Sequence, residues 1–295
     1  MLLAFHYIDW SPDPIIFTVG GFGLRYYSLL WIIGLFLGYL VAKRVYRDRG
    51  IADAIYDPLF LYCFLGVLIG ARLGHCLFYQ PDYYLSHFWE MILPVKFLPG
   101  GGWRLTGYEG LSSHGGVIGI FIALTIYCKR TGMHFLDVLD VLGIVVPITA
   151  CCIRLANLMN SEIIGLPTDV PWAFVFHRVD ELPRHPAQLY EAIVCFITFV
   201  LAVGFHIRGE RILKSRPAPH VPRGALITRP SIYHRGFYTG LCLSIIFTFR
   251  FFVEFIKEDQ VDFEEGMIIN MGQWLSIPFA AIGIYFLFFY QRRRA

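Results

Sequence analysis

The stretch Val141-Leu-Gly-Ile-Val-Val-Pro-Ile-Thr-Ala-Cys-Cys152 runs through Ile153 into Arg154-Leu-Ala-Asn157-Leu-Met-Asn160-Ser-Glu162-Ile-Ile-Gly165. Its apolar first half reads as a membrane span. An arginine, two asparagines and a glutamate then follow at once. At or near bilayer depth such groups cost several kcal/mol unless they face a partner, water or a polar ligand. A helix end resting in the headgroup region accounts for the stretch as well as a functional site does. The rest of the chain decides between the two by how it converges here.

The chain has 295 residues, of which 56% are hydrophobic and only 16% charged, with a mean hydropathy of +0.56. Charged residues make up about a quarter of a soluble globular domain, so that class is excluded. The expected class is an all-α polytopic membrane protein. The cysteines at 63, 76, 128, 151, 152, 195 and 242 all lie in apolar runs, without CxxC or a His/Cys ligand spacing. They read as small buried hydrophobes, so neither disulfides nor a metal site is expected. The start, Met1-Leu-Leu-Ala-Phe-His6, lacks the basic region of a cleaved signal peptide.

Seven apolar stretches approach the ~20 residues that a bilayer requires: 25–43, 56–79, 114–129, 137–159, 186–207, 236–256 and 271–290. The third is short as bounded and begins among Leu111 to Ser113. Charge asymmetry orients them. One set of connections holds Lys43, Arg44, Arg47 and Arg49, then Lys129 and Arg130. It continues with Arg208, Arg211, Lys214, Arg216, Arg223, Arg229 and Arg235, and ends with Arg292, Arg293 and Arg294. The alternate set holds only Lys96, Arg104, Arg178 and Arg184. Basic loops stay cytoplasmic, so seven crossings put the N-terminus outside and the C-terminus inside. Residues 1–295 then form a single transmembrane domain. Segments 80–113 and 160–185 are outer arm and head segments, and 208–235 is a basic cytoplasmic loop.

Several polar constellations collect on the outer side of this topology. Leu111-Ser-Ser-His114-Gly115-Gly116-Val-Ile-Gly119 opens the third span. A helix N-terminus favours anions, and a histidine there can act as a base. Taken alone, a glycine motif for close helix packing explains it better. Arg250 and Glu254 stand at i, i+4 on one helix face, fit for an ion pair or a shared polar cavity. Gly70-Ala-Arg72-Leu-Gly-His75 ends the second span, and Arg184-His-Pro186-Ala-Gln188-Leu-Tyr-Glu191 opens the fifth. Pro186 there suits the first helical position. Three arginines, Arg72, Arg154 and Arg250, suggest a phosphate-bearing ligand, because guanidinium matches phosphate oxygens bidentately. In that setting the ligand is a phospholipid headgroup. Composition and spacing do not name the reaction.

The quoted motifs do resemble those of one family. His114-Gly-Gly-Val-Ile-Gly119, Arg154-x-x-Asn157-x-x-Asn160-x-Glu162-x-x-Gly165, Arg184-His-Pro-x-Gln188-Leu-Tyr-Glu191 and Arg250-Phe-x-Val-Glu254 resemble the prolipoprotein diacylglyceryl transferases. So do Met271-Gly-Gln273-x-Leu-Ser276-x-Pro278 and Arg72-Leu-Gly, and the likeness runs in the family's order from about 25 to 290. The resemblance implies a bacterial inner-membrane enzyme with seven transmembrane helices, a small periplasmic head and arm segments, and a periplasmic N-terminus. It implies transfer of the diacylglyceryl group of phosphatidylglycerol to the lipobox cysteine of a preprolipoprotein signal peptide. A thioether forms and glycerol 1-phosphate leaves, the first step of lipoprotein maturation.

No metal, nucleotide or other cofactor is implied, and no nucleic acid; membrane lipids are the remaining partners. The implied catalytic residues are His114, Arg154, Arg250 and Tyr27, with Arg154 and Arg250 on the lipid phosphate and His114 as base for the thiol. The implied substrate-binding residues are Asn157, Asn160, Glu162, Gly165, Glu254, Gly115, Gly116, Arg72, Asp140 and Gln188. Ile246 departs from the pattern, which leads to a tyrosine one turn before Arg250. The rival outside enzymology is a non-catalytic transporter or binding protein for anionic phospholipid. No run of clustered aspartates, HExxH or GxSxG favours a different membrane enzyme.

Overall fold

The computed structural model describes residues 7–20, 22–98, 100–105, 110–215, 231–258, 267 and 269–290. Residues 216–230 of the basic loop, Gly107 of the arm, the first six residues and Arg292 to Arg294 lie outside the described residues. In chain order the elements are β1 (Ile8–Trp10), β2 (Ile15–Val19), β3 (Phe22–Arg25), α1 (Tyr26–Asp48), α2 (Asp53–Phe78), α3 (Pro81–Ser86) and α4 (Phe88–Ile92). There follow β4 (Val95–Phe97), β5 (Trp103–Leu105), α5 (Ser113–Thr131), α6 (Phe135–Asn160), β6 (Phe174–Phe176) and β7 (Pro183–Arg184). The chain continues with α7 (Ala187–Lys214), α8 (Phe237–Val253) with a 3-10 turn at Glu254–Ile256, and α9 (Met271–Phe288).

Among the described residues, six helices are long and apolar enough to cross a membrane: α1, α2, α6, α7, α8 with its 3-10 turn, and α9. The chain is a multi-pass membrane protein, and side chains such as Ile32, Phe36 and Phe252 stay exposed on these helices, as lipid-facing residues do. α5 is not among the six. Its ends, Ser113-His114-Gly-Gly and Cys128-Lys-Arg-Thr131, dilute its apolar character. The all-helical expectation also needs amending. Three small sheets, β1-β6-β7, β2-β3 and β4-β5, occupy segments read as connections. Strands of two to five residues are too short for an alternating pattern to announce them.

The chain divides into two compact units. One comprises Ile51–Val138 and the other the described residues up to Gly50 and from Leu139 onward. In the Ile51–Val138 unit, α2 and α5 meet along glycines. A Cβ on Gly70 would lie 2.7 Å from the Gly119 Cα, and one on Gly74 would lie 2.6 Å from the Gly115 Cα. Only backbones that close can pack this way. Ser112 caps α5, accepting from the Gly115 N–H at 3.3 Å while its own N–H donates to the Ala71 carbonyl at 2.9 Å.

In the larger unit α6 is the central helix, with 56% of its span buried against 22% for α1 and 17% for α9. β1 pairs in parallel with β6, and β6 antiparallel with β7. Beneath this sheet Leu158, Ile164, Phe174 and Phe176 form an apolar cluster with Trp10, Leu155 and Leu189. Trp10 Nε1 donates to the Leu158 carbonyl at 2.9 Å. The cluster fixes the chain reversal that follows α6 against the start of α7.

Candidate functional site

That reversal carries the polar residues. Arg154 faces α7 from the last turns of α6, its Nε 2.8 Å from Glu191 Oε2. The ion pair lies off the N–H line and is not a directed hydrogen bond. Arg154 NH1 also reaches Asn157 Oδ1 at 3.5 Å. Asn157 and Asn160 grip the two oxygens of Glu162, their Nδ2 groups donating at 3.1 and 3.0 Å. This places Asn157, Asn160 and Glu162 in one hydrogen-bonded set beside Arg154.

The backbone of the reversal is strained. Ser161 (φ 56°) and Ile163 (φ 59°) both adopt left-handed conformations, which for the β-branched Ile163 is a genuine outlier. Such strain persists only where surroundings hold it, often at binding sites. Here Gln188, fully buried on α7, donates from Nε2 to the Glu162 carbonyl at 2.5 Å. Gly165 closes the loop: a Cβ there would stand 2.6 Å from the His185 carbonyl oxygen and 2.7 Å from that of Ile256. No larger residue fits. Buried Ser161 Oγ and Gln188 Oε1 have no hydrogen-bond partner among the described residues, and each remains able to bind a ligand or water.

A second arginine arrives from α8. Arg250 Nε lies 3.4 Å from Glu254 Oε1, with the arginine side chain 37% exposed and the glutamate 8%. Glu254 Oε2 accepts from Asn270 Nδ2 at 3.4 Å, and Asn270 forms a capping box with Gln273 at the start of α9. Between the two glutamates sits Lys257, its Nζ 3.0 Å from Glu191 Oε1 and 2.9 Å from Glu254 Oε1. Arg154, Glu191, Lys257, Glu254 and Arg250 thus form one unbroken line of alternating charge. Ile246, one turn before Arg250, packs on Ile148, Cys151, Ala192 and Cys195 and brings no hydroxyl. Tyr238, the second residue of α8, lies twelve residues, about 18 Å of helix, before Arg250.

Arg184 reinforces the same side. It is buried, bonds the Gly165 carbonyl at 3.2 Å, and pairs with Asp180 at 2.5 Å and Glu258 at 3.1 Å. Its hydrogen bonds hold the Asp180 carboxyl below the usual carboxylate range. Burial pushes the neighbouring His185 imidazole down, towards the neutral form.

The other expected residues are placed elsewhere. In the Ile51–Val138 unit, His114 is exposed at the second position of α5. Gly115 is committed to the α2 seam, while a Cβ on Gly116 would meet only ordinary contacts, Ala71 and Val67 at 3.6 Å. Arg72 is buried and donates to the carbonyls of Glu90 (2.6 Å) and Met91 (3.2 Å), with its guanidinium 4.8 Å from the Tyr84 ring centre. In the larger unit, Asp140 caps α8, accepting from the N–H groups of Gly236 and Thr239 at 2.7 and 2.9 Å. It stands 14 residues, about 21 Å along the helix, from Arg154. Tyr27 is half-buried in the first turn of α1.

A family model described as prolipoprotein diacylglyceryl transferase matches residues 14–289. The chain belongs to the prolipoprotein diacylglyceryl transferase family. It is 59% identical over 288 residues to a phosphatidylglycerol–prolipoprotein diacylglyceryl transferase of Bacteroides fragilis, covering 98% of this chain and 97% of the relative. Proteins of that name from Tolumonas auensis and Porphyromonas gingivalis are 38% and 36% identical, over 97% and 95% of this chain and 98% and 94% of theirs.

As a member of the prolipoprotein diacylglyceryl transferase family, the chain also holds polar residues that sequence reasoning did not assign to the site. Glu191 stands in the sequence only as the last residue of the motif that opens the fifth span, and Lys257 has no assigned role there. Their signal was present: Lys257 follows Glu254 at i+3, the spacing of helical neighbours. Asn270 carried none, because a capping residue looks like any loop asparagine. Among the described residues no group of three or more His, Cys, Asp or Glu is placed to hold a metal ion. What the line of charges offers is guanidinium held for an anion.

Proposed function

We propose that this chain transfers the diacylglyceryl group of phosphatidylglycerol to the lipobox cysteine thiol of a preprolipoprotein signal peptide. The new bond joins the cysteine sulfur to the glyceryl carbon. The bond from that carbon to the phosphate oxygen breaks, and glycerol 1-phosphate leaves. The observation that carries this reading is the charged line ending in Arg154 and Arg250, in a chain of this family. A carboxylate lies near the Nε of each arginine; Arg154 NH1 also contacts Asn157 Oδ1 at 3.5 Å, and the remaining terminal nitrogens suit the approach of phosphate oxygens. Charge that develops on the leaving phosphate is what preorganised cations stabilise most.

The thiol must lose its proton, since the thiolate is the nucleophile. His114, exposed and uncommitted among the described residues, is the base in this proposal. Asn157, Asn160, Glu162, Gly165, Gln188 and Glu254 shape the phosphate site, Gly116 lets substrate approach the start of α5, and Tyr27 lines the entry to α1. Arg72, Asp140 and Gly115 act through structure: an arm anchor, a helix cap and a helix seam. We read α5 as a seventh span in the inner membrane, with a periplasmic N-terminus, arm (80–113) and head (160–185), and a cytoplasmic basic loop (208–235) and C-terminus. The distribution of lysine and arginine supports this orientation.

The test is reconstitution of the full chain with phosphatidylglycerol and a lipobox peptide, read by mass spectrometry. The peptide is expected to gain one diacylglyceryl group at its cysteine, and Arg154→Ala to lower the rate at least about 10²-fold. Bound phosphatidylglycerol without peptide modification would favour a binding or transport protein instead.

A further inference from the structure

Lys257 is the midpoint of the charged line and its most enclosed member, with a side chain only 2% exposed. It touches no open surface from which to meet a substrate. Its ammonium nevertheless lies within 3.0 Å of two different glutamates, each of which holds a different arginine. Its backbone is pinned as well. Gly165 and Lys257 form an antiparallel bridge, the Leu166 N–H donates to the Ile256 carbonyl at 2.9 Å, and the Glu258 N–H donates to that of Ile164 at 3.2 Å. The residue is therefore fixed relative to the strained reversal that carries Asn157 and Glu162.

We propose that Lys257 is the positioning residue that makes Arg154 and Arg250 a single phosphate clamp, an inference that rests on the function proposed above. One ammonium holds the Glu191 and Glu254 carboxylates at a common distance and so sets the spacing of the two guanidinium groups. It also settles the charge. With Lys257 the line itself holds three cations and two anions, with the Glu162 carboxylate, held by Asn157 and Asn160, beside it. Without it two buried carboxylates face one another with no cation between them, an arrangement that like-charge repulsion and desolvation both oppose. One must take up a proton or swing away, and in either case an arginine loses its anchor. A lysine needed only to fill space would not meet both carboxylates at hydrogen-bonding distance.

The experiment compares Lys257→Met and Lys257→Arg in the purified full chain, with the thermal midpoint recorded for each. Two quantities are read: kcat and KM for transfer from phosphatidylglycerol to a lipobox peptide, and the affinity of the detergent-solubilised protein for glycerol 1-phosphate by calorimetry. Lys257→Met is expected to lower kcat by about 10²-fold, as misplaced groups do, with little change in the KM for peptide. It should weaken glycerol 1-phosphate binding about tenfold, the coupling seen within one ion-pair network. Lys257→Arg, which can still bridge both carboxylates, should recover most of each loss. Wild-type kcat and wild-type phosphate affinity in folded Lys257→Met would overturn the proposal. So would a loss that only follows the fraction of folded protein. If the wild type transfers nothing, the transferase reading fails, and the glycerol 1-phosphate comparison still decides the role of Lys257.

Discussion

Arginines on apolar helices are satisfied in opposite ways in two regions of this protein. In the arm of the Ile51–Val138 unit, Arg72 gives hydrogen bonds to backbone carbonyls and lies against a tyrosine ring. In the larger unit, Arg154 and Arg250 are held at Nε by carboxylates that are themselves held by Lys257. Carbonyls are neutral and fixed, so the Arg72 guanidinium ties α2 to α4. Arg154 and Arg250 instead meet a carboxylate near Nε rather than a set of carbonyls, and both stay partly exposed, with room for a further anion. A cation on an apolar helix is therefore not by itself the mark of a binding arginine. The acceptors of its donors do.

The largest effect that would sharpen this contrast lies at exposed His114, at the start of α5 in the arm-bearing unit. His114→Gln is expected to lower kcat about 10²-fold or more, the usual contribution of a positioned base, while the thermal midpoint stays at the wild-type value. The glycine seam beneath it is untouched, so the variant should fold. Transfer at the wild-type rate would make His114 an interfacial residue and return this end of α5 wholly to packing.

Arg72→Met tests the contrast directly. Removing the guanidinium leaves the Glu90 and Met91 carbonyls without these donors, a cost of about 1–3 kcal/mol for each buried group left unpaired. The thermal midpoint should fall clearly. Transfer per folded molecule should stay near the wild-type rate, whereas Arg154→Ala should lose it. If folded Arg72→Met is as inactive as Arg154→Ala, the rule drawn from the hydrogen-bond acceptors is wrong.

The comparison also explains what could be read from the chain. Long apolar runs announced seven helices, six of which are long and apolar enough to cross a membrane, because an apolar stretch near span length has few alternatives. The polar cluster after α6 was visible because Arg154, Asn157, Asn160 and Glu162 are close in sequence and costly near a membrane. Arg72 looked just like Arg154, since sequence shows a cation in a span but not the carbonyls, 18 and 19 residues on, that satisfy it. The capping role of Asp140 was hidden for the same reason: its partners lie 96 and 99 residues away at the start of α8. Lys257 was passed over because Glu254 at i+3 is a common neighbour, while its second carboxylate, Glu191, comes from α7, 66 residues away. Only the fold brings them together.

The smallest effect concerns the pH dependence of the arm. Burial raises the cost of charging Glu90. The Tyr83 hydroxyl donates to Oε2 at 2.6 Å and the Phe97 N–H donates to Oε1 at 2.8 Å. Together with the nearby His87 and Lys96 charges, these bonds prevail and hold the Glu90 carboxyl below its ordinary 4.5, while the same contact pushes Tyr83 up to about 12. A carboxyl whose folded pKa is depressed stabilises the fold above its unfolded value, and that stability is lost as pH falls through the folded pKa. The β4–β5 pairing should therefore loosen below pH 4.5 in the wild type. In Glu90→Gln the corresponding acid step should be absent. Amide exchange at Phe97, taken as the difference between the two proteins at each pH, cancels the intrinsic acidity dependence of exchange. The step should appear in this difference and not in the affinity for glycerol 1-phosphate. If phosphate affinity in the wild type changed with the same midpoint, and in Glu90→Gln did not, the arm would be part of the binding machinery, and Arg72 would have to be counted with it.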